Sequence, residues 1–186
     1  MIKIIENQSE IAAGTRGSSL GIGAMKVVSQ TAQDGYFGKF ENIQIQDENT
    51  LLDFPTKYSF AKRIDGLVKV YDRTCNVLSK ELKNDNFPLI LSGDHACAGG
   101  TIAGVKAAYP DKRVGVVWID AHADIHTPYT TPSGNLHGMP LATALAEDNL
   151  DSKINDLDQE TSSLWEQLKN TGGISPKINV KDIVYI

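Results

Sequence analysis

Residues 87–126 read FPLILSGDHACAGGTIAGVKAAYPDKRVGVVWIDAHADIH, and this stretch decides the fold. Phe87 to Ser92 is a short apolar run that ends at Gly93-Asp94-His95. Gly99 to Tyr109 reads as a helix stopped by Pro110, and Arg113 to Ile119 is a second apolar run that ends at Asp120. Continuous apolar runs separated by a helix are the pattern of parallel strands buried on both faces. Strand, helix and strand in that order imply an α/β sheet with right-handed crossovers.

Upstream, Ile2 to Ile5 is apolar and β-branched and predicts a first strand. Residues 14–23, GTRGSSLGIG, form a glycine-rich turn, with a helix starting behind it over Ala24 to Gln30. The turn has neither G-x-G-x-x-G nor G-K-[ST], so a nucleotide loop is the weaker reading. Glu41 to Gln46 alternates as an edge strand does. Between Thr56 and Lys83 the apolar positions Ile64, Leu67, Val68, Tyr71, Cys75, Leu78 and Leu82 mark one face of a long amphipathic helix. Downstream, Pro140 to Ala146 and Ser162 to Lys169 predict helices, and Asp182 to Ile186 a further strand. A parallel strand normally leads into a helix that covers it, so a chain stopping on one is expected to be part of a longer domain.

Composition bounds the function. With 41% hydrophobic and 22% charged residues the chain is not disordered. A net charge of -5 argues against nucleic-acid binding and leaves room for a cationic substrate. No apolar run is long enough for a membrane span, and MIKIIENQSE has no signal-peptide core. Cys75 and Cys97 make no disulfide framework, which predicts a reducing, cytoplasmic setting. Cys97 reads as a small buried residue rather than a nucleophile.

The histidines are His95, His122, His126 and His137, and two of them interleave with aspartates in Asp120-Ala-His122-Ala-Asp124-Ile-His126. If that segment stays extended, residues two apart share a face. Ligand-type side chains gathered after a buried strand need a compensator, and a metal ion is the simplest one. Ligands bind outside the carboxyl ends of parallel strands, so His95 can join the cluster if its strand is a neighbour. Imidazole with carboxylate suits manganese, zinc, iron, cobalt or nickel, and a bridging carboxylate can hold two ions about 3.5–4 Å apart. The bland alternatives are a hydrogen-bonded network at a strand end, a loop histidine at His126, and ordinary turn chemistry at Ser133, Asn135 and His137.

DAHADIHTPYTTPSGNLHGMPLA resembles the arginase signature, SGDHA the Gly-Gly-Asp-His-Ser motif of the ureohydrolases, and RGSSLGIGAMKV their N-terminal glycine-rich segment. The Ser-Gly-Asn-Leu-His-Gly run resembles arginases more than the agmatinases or formimidoylglutamases of the same family. The resemblance implies an α/β arginase–deacetylase fold, a three-layer α/β/α arrangement around a mostly parallel sheet, with residues 1–186 forming a single catalytic domain that lacks its C-terminal part. It implies two Mn2+ ions: His95 and Asp124 on the first, His122 on the second, and Asp120 bridging both. Asp124 and His137 carry over as catalytic residues, His137 as a proton shuttle or a contact beside the guanidinium. His126, Thr131, Ser133 and Asn135 carry over as substrate-binding residues. The implied reaction is hydrolysis of L-arginine to L-ornithine and urea by a metal-bridging hydroxide, in a homo-oligomer.

The chain departs from the family pattern at His126, where arginases carry Asn, at Ser92 in place of Gly, and at Ala96 in place of Ser. The later Asp-x-Asp motif that completes both metal shells has no counterpart before Ile186, so a C-terminal segment is expected to be needed. The alternatives are another ureohydrolase, acting on agmatine or a guanidino acid, and an inactive fragment or binding module.

Overall fold

A computed structural model describes residues 1–186. Its elements run β1 (Ile2–Asn7), α1 (Leu20–Thr31), α2 (Tyr36–Lys39), β2 (Glu41–Ile45), α3 (Ile64–Lys83), β3 (Phe87–Ser92), α4 (Cys97–Ala108), β4 (Val116–Trp118), α5 (Pro140–Leu145), α6 (Gln159–Asn170) and β5 (Ile183–Tyr185). Strands β2, β1 and β3 form one parallel sheet in that order, with Ile5 opposite Ile43 on one side and Ile90 on the other. Strands β4 and β5 pair in parallel as a second sheet, with Trp118 opposite Tyr185. The architecture is α/β, as the order of apolar runs predicts.

The pleat of β1 sends successive side chains to opposite faces. Ile5 packs with Leu78 of α3 and Ile45 of β2, and Asn7 donates to Thr74 Oγ1 of α3 at 3.1 Å. On the other face Glu6 meets Lys26 of α1 at 2.6 Å. Helices therefore cover both faces of the sheet. The largest core lies under α3, where Ile64, Leu67, Val70 and Tyr71 pack against Ala96, Cys97, Met139 and Trp165. No helix is long and apolar enough to cross a membrane.

Three local expectations are corrected. Helix α1 begins at Leu20, inside the glycine-rich stretch, rather than at Ala24. There the buried Glu10 carboxylate accepts the N–H groups of Gly17 and Ser19, both at 2.9 Å. Burial alone would raise the Glu10 carboxyl pKa; those N–H groups, the Ser19 hydroxyl and the charge of Arg16 together outweigh it and hold it below the usual range. Helix α3 starts at Ile64 rather than near Thr56, because residues 56–63 fold into turns in which Thr56 Oγ1 accepts from the N–H of Tyr58 and Arg63.

The third correction concerns the two apolar runs. They are not neighbouring strands buried on both faces: β3 pairs only with β1, and β4 only with β5. The second run forms a ladder over just three residues, and Val117 and Ile119 are 64% and 77% exposed. Apolar β-branched residues set the tendency to extend, whereas burial depends on what packs against each face.

Candidate metal centre

The carboxyl ends of β3 and β4 lie together although the strands do not pair. After β3 the chain turns through Gly93-Asp94, and the buried Asp94 clamps the turn. Its Oδ2 accepts from Ala12 N at 2.9 Å and its Oδ1 from Ala96 N at 2.7 Å. Burial raises the Asp94 carboxyl pKa above the ordinary value in spite of those N–H groups. The clamp ties the loop after β1 to the start of α4 and sets His95 at the mouth of the cleft. Asp94 has no ligand role in the sequence reading; only its contacts reveal the clamp.

After β4 the chain does not stay extended. Asp120 Oδ1 accepts from the backbone N–H of His122 at 2.8 Å, an Asx turn that ends the strand. Asp124 then adopts a left-handed backbone with φ 51°, unusual for a non-glycine residue. Its carbonyl accepts from Leu141 N at 3.1 Å, and Tyr185 Oη donates to Ala123 O at 3.0 Å. The alternation expected to place Asp120, His122, Asp124 and His126 on one face is therefore broken. Asp120 and Asp124 still converge, through the turn rather than through the pleat.

His95 Nδ1 lies 3.1 Å from Asp120 Oδ2 and 3.3 Å from Asp124 Oδ2. The ligand atoms of His95, Asp120 and Asp124 all fall within 4.8 Å of one another. Two donors bound to one ion at about 2.1 Å and a right angle stand about 3 Å apart, so this spacing fits a divalent metal. His122 is outside that trio. Its side chain is 82% exposed, yet its Nδ1 lies 3.2 Å from Asp120 Oδ1. Asp120 thus presents one oxygen to each imidazole, the disposition a bridging carboxylate needs. The backbone N–H of His122 foremost holds the Asp120 carboxyl below its ordinary range, against a smaller opposing effect of desolvation, so it is ionised at neutral pH.

These residues lie along a cavity of about 930 Å³, whose other wall is formed by residues 130–138. His126, Thr131, Ser133, Asn135 and His137 all line it. Thr131 is buried, and its hydroxyl oxygen accepts from the N–H of Ser133 at 3.3 Å and Gly134 at 3.0 Å, so it shapes the loop from within. His126 Nδ1 is 3.2 Å from Thr130 Oγ1, leaving Nε2 for the cavity. His137 is exposed, and its backbone N–H donates to Ala12 O at 3.3 Å. Asn149 and Ser152 also line the cavity, unmarked by any motif.

The wall is held from outside at two glycines. Gly14 has φ 76°, and a Cβ there would come 2.6 Å from Asn135 Nδ2. Gly134 has φ 76°, and a Cβ there would come 2.0 Å from the Ser59 carbonyl oxygen, while Gly134 O accepts from Lys62 N at 2.8 Å. Gly134→Ala therefore meets both a backbone clash and a strained φ. It is expected to lower folding stability by about 3 kcal/mol or more. An unfolding free energy, measured in urea, within about 0.5 kcal/mol of the parent would contradict this packing.

The comparisons agree with this geometry. The family model described as "Arginase family" matches residues 6–159. The arginase of Brevibacillus brevis is 33% identical over 100% of this chain and 56% of its own length. The solved arginase of Bacillus caldovelox superposes with a TM-score of 0.74 at 29% identity, covering 99% of this chain and 56% of that one. The Entamoeba histolytica arginase solved with L-ornithine gives 0.71 at 28%, covering 99% and 56%. The chain thus spans a little over half the length of these relatives. Because the match takes in both strand-end motifs and the cavity wall between them, the chain belongs to the arginase family.

Proposed function

We propose that the complete protein is an arginase that uses two manganese ions to hydrolyse the guanidinium group of L-arginine, giving L-ornithine and urea. The observation that carries the reading is the convergence of His95, Asp120 and Asp124 along a cavity whose opposite wall bears Ser133, Asn135 and His137. Manganese, when bound, supplies the Lewis acidity that activates water at neutral pH.

The chain's own residues do the remaining work. Asp120 and Asp124 would supply anionic oxygens, and His95 and His122 neutral nitrogens, to hold the ions. Ser133 and Asn135 hydrogen-bond the amino and carboxylate groups at the far end of arginine, and His126 offers Nε2 to that carboxylate. His137 stands at the edge of the cavity and passes a proton to the leaving amine. The relative solved with L-ornithine supports a site that accepts this amino-acid end. The protein's setting on this reading is the cytoplasm, where the buried free thiols of Cys75 and Cys97 stay reduced.

The test is urea release by the full polypeptide with manganese. We expect kcat/KM for arginine to exceed that for agmatine, which lacks the carboxylate, by at least about a hundredfold, because a site built around hydrogen bonds rejects an analogue that cannot make them. Comparable values would move the assignment to a different ureohydrolase. His126→Ala is expected to raise KM for arginine about three- to tenfold with kcat retained, the signature of a binding contact worth about 1 kcal/mol. An unchanged KM would make His126 a bystander.

A further inference from the structure

We infer that Trp118 is a positioning residue for the metal centre: its indole orients two ligands at once and thereby sets the affinity of the site for its ions. The inference rests on reading His95, Asp120 and Asp124 as metal ligands. Trp118 ends β4 two residues before Asp120 and is only 6% exposed. It packs with Ile102, Leu141 and Ile178, and its backbone carbonyl accepts from Ile186 N at 3.0 Å. The ring is therefore anchored by residues that lie outside the loop from Asp120 to Asp124.

From that anchor it makes two contacts with the site. Its face stacks on the His95 imidazole, with centroids 4.7 Å apart and planes 20° from parallel. Its Nε1–H donates to Asp124 Oδ2 at 3.2 Å. That oxygen is the one 3.3 Å from His95 Nδ1, so Trp118, Asp124 and His95 form one connected unit. Each contact answers a particular need. His95 is 38% exposed and follows a turn, and its polar contacts are made through Nδ1 alone, so the stack adds the restraint that fixes the plane of its ring. Asp124 sits on a left-handed backbone, and the indole N–H selects one orientation of its carboxylate. A buried indole needs a partner for its only donor, and here that partner is a ligand oxygen. Groups that hydrogen-bond metal ligands from behind typically change metal affinity 10- to 100-fold when removed, because the free ligands must otherwise be ordered at the moment of binding.

A merely structural tryptophan would affect folding and leave metal binding alone. The discriminating variant is Trp118→Phe, which keeps an aromatic face for His95 and deletes the N–H. Manganese affinity of the full polypeptide, measured by calorimetry, is expected to fall about tenfold in Trp118→Phe and further in Trp118→Leu, which also removes the stack. The metal-free thermal midpoint of Trp118→Phe should stay within a few degrees of the parent.

A second measurement uses the unmodified full polypeptide. The indole N–H resonance of Trp118 is expected to move as diamagnetic zinc is added, while that of Trp165, bonded to Asp148 Oδ1 at 2.8 Å, stays in place. Affinity of Trp118→Phe within twofold of the parent would overturn the inference, as would a Trp118 resonance that ignores zinc while zinc binds. Absence of metal binding by the unmodified full polypeptide would overturn the metal reading itself, a separate outcome.

Discussion

Asp120→Asn in the full polypeptide is expected to lower kcat/KM for arginine by at least about a thousandfold, a loss of roughly 4 kcal/mol of transition-state stabilisation. Asp120 is the one side chain that faces both imidazoles, with Oδ2 3.1 Å from His95 Nδ1 and Oδ1 3.2 Å from His122 Nδ1. Asparagine keeps the size and one acceptor, but it removes the charge that holds a cation and replaces one oxygen with a donor. Bound manganese, measured on the purified variant, should fall with the activity. The fold should survive, because Asp120 lies outside the packed core and its turn needs only one oxygen to accept from His122 N. A variant that keeps its metal and loses less than tenfold in kcat/KM would show that Asp120 is not the shared ligand.

The 186-residue chain by itself, supplied with manganese, is expected to turn arginine over at less than about 1 per second, below the ordinary range for enzymes. On the proposed assignment one ion would have His95, Asp124 and Asp120, and the other only His122 and Asp120. Two or three protein ligands hold an ion loosely and leave its geometry open, and two-metal hydrolysis needs both ions fixed. The free edges of β3 and β4 add to this. Val117 and Val184, opposite each other in the β4–β5 ladder, are exposed with Ile119 and Ile186, and such uncovered apolar surface favours association between chains. Urea release in the range of about 1–1000 per second, from a sample whose mass shows only this chain, would overturn the ligand accounting.

Much of this protein was legible without coordinates. The order and type of its main elements followed from apolar periodicity, and helices such as α3 and α4 fall where the pattern places them, within a few residues except at the start of α3. The family was legible because two motifs, SGDHA and DAHADIH, stand in register at the ends of two strands. Boundaries were less so. The start of α1 depends on Glu10, a residue seven to nine positions upstream whose carboxylate meets the N–H groups of Gly17 and Ser19.

The sequence by itself determined which residues are available for chemistry. Side-chain type and local period are properties of neighbouring positions, so His95, Asp120, Asp124 and the wall from Thr131 to His137 could be named from it. Only the tertiary structure decided how they meet. Whether two apolar runs pair is set by their partners' edges, and here each run pairs elsewhere while the strand ends still converge. The left-handed backbone of Asp124 is held by Leu141, 17 positions away, and its neighbour Ala123 by Tyr185, 62 positions away. The indole of Trp118 reaches His95 across the gap between the two sheets. Periodicity carries no information about contacts between residues so distant in the chain, and those contacts place the ligands.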